Sequence, residues 1–279
     1  MRRARGVTPP ASSAKLTPAD FTFSWNCIPD IPLAERFAAA RDAGFRDIGL
    51  SIRWMTDFLV DHSLSEVDDL LAEYGLVVTE VEAARVMLAD PDPRLVVAAT
   101  LAEHFHPKRL QATGDFDGTF EDAARYAGAV ADQFAEFGTE VVLEPLPFTN
   151  MTTPADSVRI IELAGRENIS ICMDVWHLYR NQLPLSALDD AWPHISTLQF
   201  NDGTIEQQEP DLRDDCLRNR RIPGEGEFDL VGLLRERDRH RPDTTFSIEV
   251  INTGLRAQDP ALTARQIAQG VSNVISQLQ

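Results

Sequence analysis

The sequence is short of cysteine, histidine and positive charge, and each shortage narrows what the protein can be. Three cysteines, Cys27, Cys172 and Cys216, are spread over 279 residues with no CxxC pair. An odd, widely spaced set argues against a disulfide framework and suits a reducing compartment, so a cytoplasmic protein is expected. Lys and Arg total 26 against 44 Asp and Glu, a formal net charge of −18. A surface this acidic repels nucleic acid and anionic membranes, so neither is expected as a partner. A small anionic substrate stays open, because local arginines can override the mean field. No apolar run approaches the ~20 residues that a membrane-spanning helix needs. The first residues, MRRARGVTPPASSAKLTPAD, are basic and then rich in Pro, Ser and Ala. No apolar stretch follows the charges, so the segment fails as a signal peptide, and residues 1–20 are expected to be a flexible tail.

What is present from Phe21 onward is alternation. Strand-like runs such as FTFSWN, RDIGLS, LVVTEVEA and TEVVLEP are separated by stretches of helical spacing. The helical stretches carry start and stop signals. Ser63 or Ser65 is a plausible N-cap for the segment closed by Gly75, and Thr153 with Pro154 opens TPADSVRIIELAGRE. Eight such strand–helix repeats over 21–279 predict a single α/β domain, a (β/α)8 TIM barrel. A doubly wound open sheet would usually carry a Gly-rich turn after its first strand, and the turn SWNCIPDIP has no glycine.

Four of the strand-like runs end in a side chain that offers oxygen: Glu144 in VVLEP, Asp174 in ICMDVWH, Gln199 in TLQFND and Glu249 in FSIEV. A charged or amide group at the end of a buried strand needs a partner, because desolvating it is costly. In a barrel these ends meet at one mouth, where active sites lie, and the four can share a divalent cation. An all-oxygen set favours Mn²⁺, Mg²⁺ or Co²⁺ and leaves Zn²⁺ as a lesser option. Asp174 is followed by Trp176 and His177, so a neutral imidazole stands just past a strand end, placed to bond a substrate hydroxyl or carbonyl. The loop ending in NRRIPGEGEFD offers Arg220 or Arg221, of which Arg221 is taken as the residue that fixes a substrate oxygen. Trp25, with Asn26, Ser51, Glu82 and Gln111, lies near the ends of the first four strands. Trp54 and Trp176 are candidates to stack on a sugar ring. The HxH of His104 and His106 precedes a strand, which would put it at the wrong mouth.

These motifs, L-E-P at 143–145, M-D-x-x-H at 173–177, Q-x-x-D at 199–202, R-x-P-G-E-G at 221–226 and I-E at 248–249, resemble the xylose-isomerase-like superfamily of sugar isomerases and epimerases. The resemblance covers essentially 21–277. It implies that Glu144, Asp174, Gln199 and Glu249 bind one divalent metal, and that Glu144 and Glu249 also exchange the substrate proton. It implies a polyhydroxy ketone or aldehyde, a sugar or polyol-like small molecule, as substrate. Many members carry His where this chain has Gln199, and Gln there resembles the hydroxypyruvate-isomerase-like branch. The same residues would also serve a dehydratase or lyase acting on an inosose-like or sugar-bearing compound. An apurinic-site endonuclease, which shares the fold, fits poorly with six histidines and a charge of −18. A binding protein without catalysis is a further reading. Barrels of this kind often assemble as homodimers or homotetramers.

Overall fold

The computed structural model describes residues 12–278. The aliphatic runs become eight parallel strands: β1 (Phe21–Phe23), β2 (Asp47–Ser51), β3 (Val77–Ala84), β4 (Arg109–Thr113), β5 (Glu140–Glu144), β6 (Ile169–Asp174), β7 (Ile195–Phe200) and β8 (Thr245–Ile248). Each pairs with the next, and β8 pairs with β1 through Thr22 opposite Ser247, so the sheet closes. Closure removes the unpaired edges that an open sheet would expose. The expected (β/α)8 barrel is therefore the fold.

Amphipathic helices wrap the barrel. The longest before β5, Phe120–Ala135, starts at a capping box in which Thr119 and Asp122 satisfy each other's backbone N–H groups. Its buried Ala123, Ala127, Ala131 and Phe134 form the stripe that packs inward. Pro154–Ala164 starts on Thr153 as the sequence predicts, and Gly165 ends it in the left-handed region at φ 58°. Three short helices follow strand ends, two of them directly. Ser51, Asp174 and Asn252 cap Ile52–Phe58, Val175–Arg180 and Thr253–Arg256 by accepting a backbone N–H. A fourth, Leu212–Arg218, lies inside the polar stretch after β7. The short helix expected near 184–191 is a pair of 3-10 turns, Leu185–Leu188 and Trp192–His194.

The expected flexible tail divides. Residues 1–11 lie outside the described residues. Residues 13–15 and 18–20 form 3-10 turns, and buried Ser13 donates to Asp238 Oδ1 at 2.6 Å, tying this segment to helix Leu230–His240. Among the described residues, no helix is long and apolar enough to cross a membrane. His104 pairs with Asp68 at 2.8 Å on the surface, and His106 closes helix Leu95–Phe105 before β4, at the end of the barrel away from the four oxygen ligands.

Candidate metal and acid-base centre

The barrel brings the four oxygen-bearing residues to one end. Glu144 and Asp174 are the last residues of β5 and β6, Gln199 lies opposite Asp174 in the β6–β7 register, and Glu249 follows β8 directly. All four are buried, so none of their charge is relieved by bulk water. The Gln199 amide can face the cluster in two ways. With Nε2 inward it donates to Asp174 Oδ2 at 3.0 Å and Glu144 Oε1 at 3.1 Å. With Oε1 inward, oxygen faces oxygen at the same places, with only the Gln111 amide donating to it at 3.4 Å. The first state suits a metal-free protein. The second would need a cation among the oxygens to be stable.

Arg220 is the basic partner. Its Nη1 donates to Asp174 Oδ2 at 2.6 Å and to Glu249 Oε2 at 2.8 Å. The guanidinium is buried, and Cys216 Sγ lies 3.3 Å from its Nη2. Three carboxylates against one guanidinium leave two negative charges uncompensated when all the acids are ionised. The unloaded protein relieves this by protonation. Burial pushes Glu249 up to about 7; Arg220 opposes the rise, and Glu144 and Asp174 add to it.

Lone-pair accounting gives the same answer. An ionised carboxylate has about four acceptor sites. Asp174 Oδ1 takes the Trp176 N–H and the Asn201 amide, at 2.7 and 2.8 Å, leaving Oδ2 with Arg220 alone in the Oε1-inward state. Glu144 Oε2 takes Gln111 at 2.8 Å, and Oε1 meets His177 Nε2 at 3.2 Å. Glu249 Oε1 takes Asn26 at 2.9 Å and Ser24 at 3.3 Å, and Oε2 takes Arg220. Each acid therefore keeps a lone pair for a cation. The ligand atoms of Glu144, Asp174 and His177 lie within 4.8 Å of one another. The donor set thus fits a dication in count and in charge: two missing positive charges and several free lone pairs.

A further carboxyl stands behind Glu249. Glu82 of β3 accepts the Trp25 N–H at 2.6 Å and the Ser24 hydroxyl at 2.9 Å, and Ser24 also reaches Glu249. Burial, with Glu80 and Glu249 nearby, raises Glu82 well above the usual carboxylate range. Gly49 of β2 makes room for it: a β-carbon there would fall inside contact distance of Glu82 Oε1.

Two sequence-predicted substrate contacts, Arg221 and Trp176, are placed differently. Arg221 is exposed and donates to the Glu225 carbonyl at 3.2 Å, whereas its neighbour Arg220 enters the centre. An antiparallel bridge between Asp202 and Arg221 fixes this, because successive side chains on an extended segment point opposite ways. Trp176 is fully buried, with the guanidinium groups of Arg180 and Arg220 over its ring at 4.7 and 5.8 Å, so it has no surface for a sugar. Trp25 is nearly buried too, but it borders a concavity at the mouth. His177 lies in the centre, and its Nδ1 has no partner among the described residues. Ser24 and Asn201 were not singled out from sequence. A lone Ser or Asn near a strand end carries no signal until the fold shows which carboxylate it meets.

The sequence profile of the xylose isomerase-like TIM barrel family matches residues 37–271. The chain belongs to this family. No curated protein matches the sequence significantly. Among solved structures of xylose isomerase-like barrels, a xylose isomerase-like TIM barrel/4-hydroxyphenylpyruvate dioxygenase fusion protein superposes with a TM-score of 0.80 at 18% identity over 93% of this chain. The chain spans 43% of the length of that fusion protein. IolI protein with a bound zinc atom gives a TM-score of 0.74 at 14% identity, covering 93% of this chain and 99% of that one. D-psicose 3-epimerase with D-tagatose from Clostridium cellulolyticum H10 gives 0.68 at 15% identity, with 93% and 99% covered. At these identities the likeness is one of fold.

Proposed function

We propose that this protein is a divalent-metal-dependent isomerase or epimerase. It would move a proton at the carbon beside the carbonyl of a polyhydroxy ketone or aldehyde. The observation that carries this reading is the buried excess of acid: Glu144 and Asp174 cluster with His177, and Glu249 joins Asp174 through Arg220, the one guanidinium bonded among the three acids. Glu144, Asp174, Gln199 and Glu249 would hold the ion, with His177 adjacent. When bound, the ion supplies Lewis-acid stabilisation of the negative charge that develops on substrate oxygens. Mn²⁺, Mg²⁺ or Co²⁺ suits the all-oxygen set, and His177 beside it keeps Zn²⁺ in play.

The chain's own residues perform the proton transfer. Asn26 and Ser24 crowd Glu249 Oε1 while Oε2 carries a single donor, Arg220, so Oε2 would be the oxygen that exchanges the proton. Glu144 comes from β5 and Glu249 from the end of β8, so the two acids face the centre from different strands. One takes the proton and the other returns it, on the same carbon for an epimerase or on the adjacent carbon for an isomerase. His177 at Oε1 and Gln111 at Oε2 hold the Glu144 carboxylate in place. Burial of all these groups keeps water from competing for the carbanion. The zinc in IolI protein and the ketose in the psicose epimerase support a metal and a sugar in this family's mouth.

The test is deuterium exchange. Protein stripped with chelator and reloaded with Mn²⁺ is incubated in D₂O with ketoses and inososes, and the products are read by NMR and mass. Deuterium should enter beside the carbonyl, and Glu249→Gln should lower the rate by about 10²–10⁴-fold, the usual worth of a positioned base. Loss of water or cleavage of the substrate would replace the isomerase with a dehydratase or lyase. Failure to bind any divalent ion would overturn the proposal.

A further inference from the structure

Beside the acid centre, over the ends of β1 and β2, lies a second concavity of about 270 Å³. Complete small-molecule pockets run from about 300 to 1,000 Å³, so this one has room for a single ring-sized group. Trp25 and Trp54 form its aromatic side. Their rings lie 5.1 Å apart, and Phe58 stacks against Trp54 at 4.9 Å, so the indoles are held as a rigid ledge.

The polar side is balanced. Arg53 and Arg256 line it, and so do Asp30 and Asp57. No ion pair joins these arginines to any carboxylate among the described residues, although the chain as a whole carries −18. Arg256 Nη2 donates to the Asn26 carbonyl at 3.0 Å, which leaves its other nitrogens and Arg53 for a ligand, so the pocket offers planar donors and planar acceptors with no net charge. An anion would be opposed by the two aspartates and a cation by the two arginines. A ring bearing several hydroxyls uses both, since each hydroxyl donates and accepts, and its C–H face packs on an indole. The two sites share a residue. Asn26 borders the concavity and donates to Glu249 Oε1 at 2.9 Å.

We propose that this concavity is a subsite for a second, uncharged polyhydroxylated ring of the substrate, a glycosyl or cyclitol unit carried beyond the reacting carbon. The inference rests on the proposed reading of the acid centre, which would hold the reacting unit. It narrows the substrate class from any polyhydroxy ketone to one with a neutral ring attached.

Binding to chelator-stripped full-length protein tests the subsite without turnover. The probes are methyl β-glucoside and lactulose, which are neutral, and glucuronate, which is anionic; contact is read by saturation-transfer NMR and affinity by calorimetry. The neutral rings should receive saturation. Trp54→Ala should weaken them at least tenfold, and Trp54→Phe should restore most of the loss. Arg53→Gln and Arg256→Gln, at exposed positions, should each weaken them severalfold while leaving the melting temperature unchanged. Absence of contact with both neutral probes, or binding indifferent to Trp54→Ala, would overturn the proposal. So would glucuronate binding at least tenfold tighter than the neutral rings. If the acid-centre reading alone is wrong, metal binding and deuterium exchange fail while these probes still bind.

Discussion

Arg109 and Arg220 are both buried and both bonded to carboxylates, yet one cluster is closed and the other is not. Arg109 of β4 meets Glu80, its register partner on β3, at 2.6 Å. Its remaining nitrogens donate to Thr245 and Thr22 at 3.1 and 2.8 Å, and Ser247 bonds Glu80 at 3.3 Å. One cation faces one anion, and every group is used. At the mouth Arg220 faces Asp174 and Glu249, with Glu144 beyond them, and the balance is short by two positive charges. The same pairing chemistry thus serves two ends. A saturated pair holds strands in place, and an unsaturated set asks for something from outside.

The comparison can be broken where it is strongest. Arg109→Met would leave Glu80 buried and unpaired, and should cost about 3–5 kcal/mol in urea unfolding. Replacing Glu80 and Arg109 together by apolar residues should recover most of that, since a removed pair needs no partner. A small loss from the single change would mean that the cluster is not closed. For the mouth, Mn²⁺ at about 100 times its dissociation constant should add about 2.7 kcal/mol to stability, read as a rise in melting temperature after chelation. Asp174→Asn should abolish the rise, and a rise that survives would place the metal elsewhere.

Acidity sharpens the contrast. Burial pushes Glu249 up to about 7 in the folded protein, from the 4.5 of a free glutamate side chain. The folded state then holds the extra proton between these values. Glu249 alone should therefore lower metal-free stability by up to about 1.4 kcal/mol per pH unit as pH rises from 4.5 to 7, and Glu82, also raised, should add a fall of the same sign. Glu249→Gln should flatten that slope in unfolding curves, and a slope left intact would assign it to other groups. The smallest effect is expected at Arg221→Ala, within about 0.5 kcal/mol of the parent by the same unfolding, because the side chain is exposed.

Much of this was legible beforehand. The strands announce themselves as aliphatic runs, and the four candidate oxygen ligands as polar stops at their ends. Helices Ile52–Phe58, Val175–Arg180 and Thr253–Arg256 did not, since helices this short have too few turns for periodicity to register. Their caps were visible as residues, but Asp174 was read only as a ligand, although it both caps a helix and faces the centre. Arg220 and Arg221 are chemically identical neighbours. Only the bridge to Asp202 decides which one turns inward, and a bridge between residues 202 and 221 depends on how the loop closes. Trp176 was a plausible sugar platform by composition, and two guanidinium groups over its ring made it core.

Gly49 carries a last consequence. The Glu82 carboxyl fits only because position 49 has no side chain, and Glu80 Oε1 lies 3.4 Å from where a β-carbon would stand. The two positions should therefore drift together over evolutionary time. Relatives that keep a glutamate at 82 should keep glycine at 49, and alanine should enter at 49 only after the acid at 82 has been shortened or lost. A collection of such chains would thus carry a record of which barrels retain the further carboxyl behind the acid after β8, written at a position that does no chemistry.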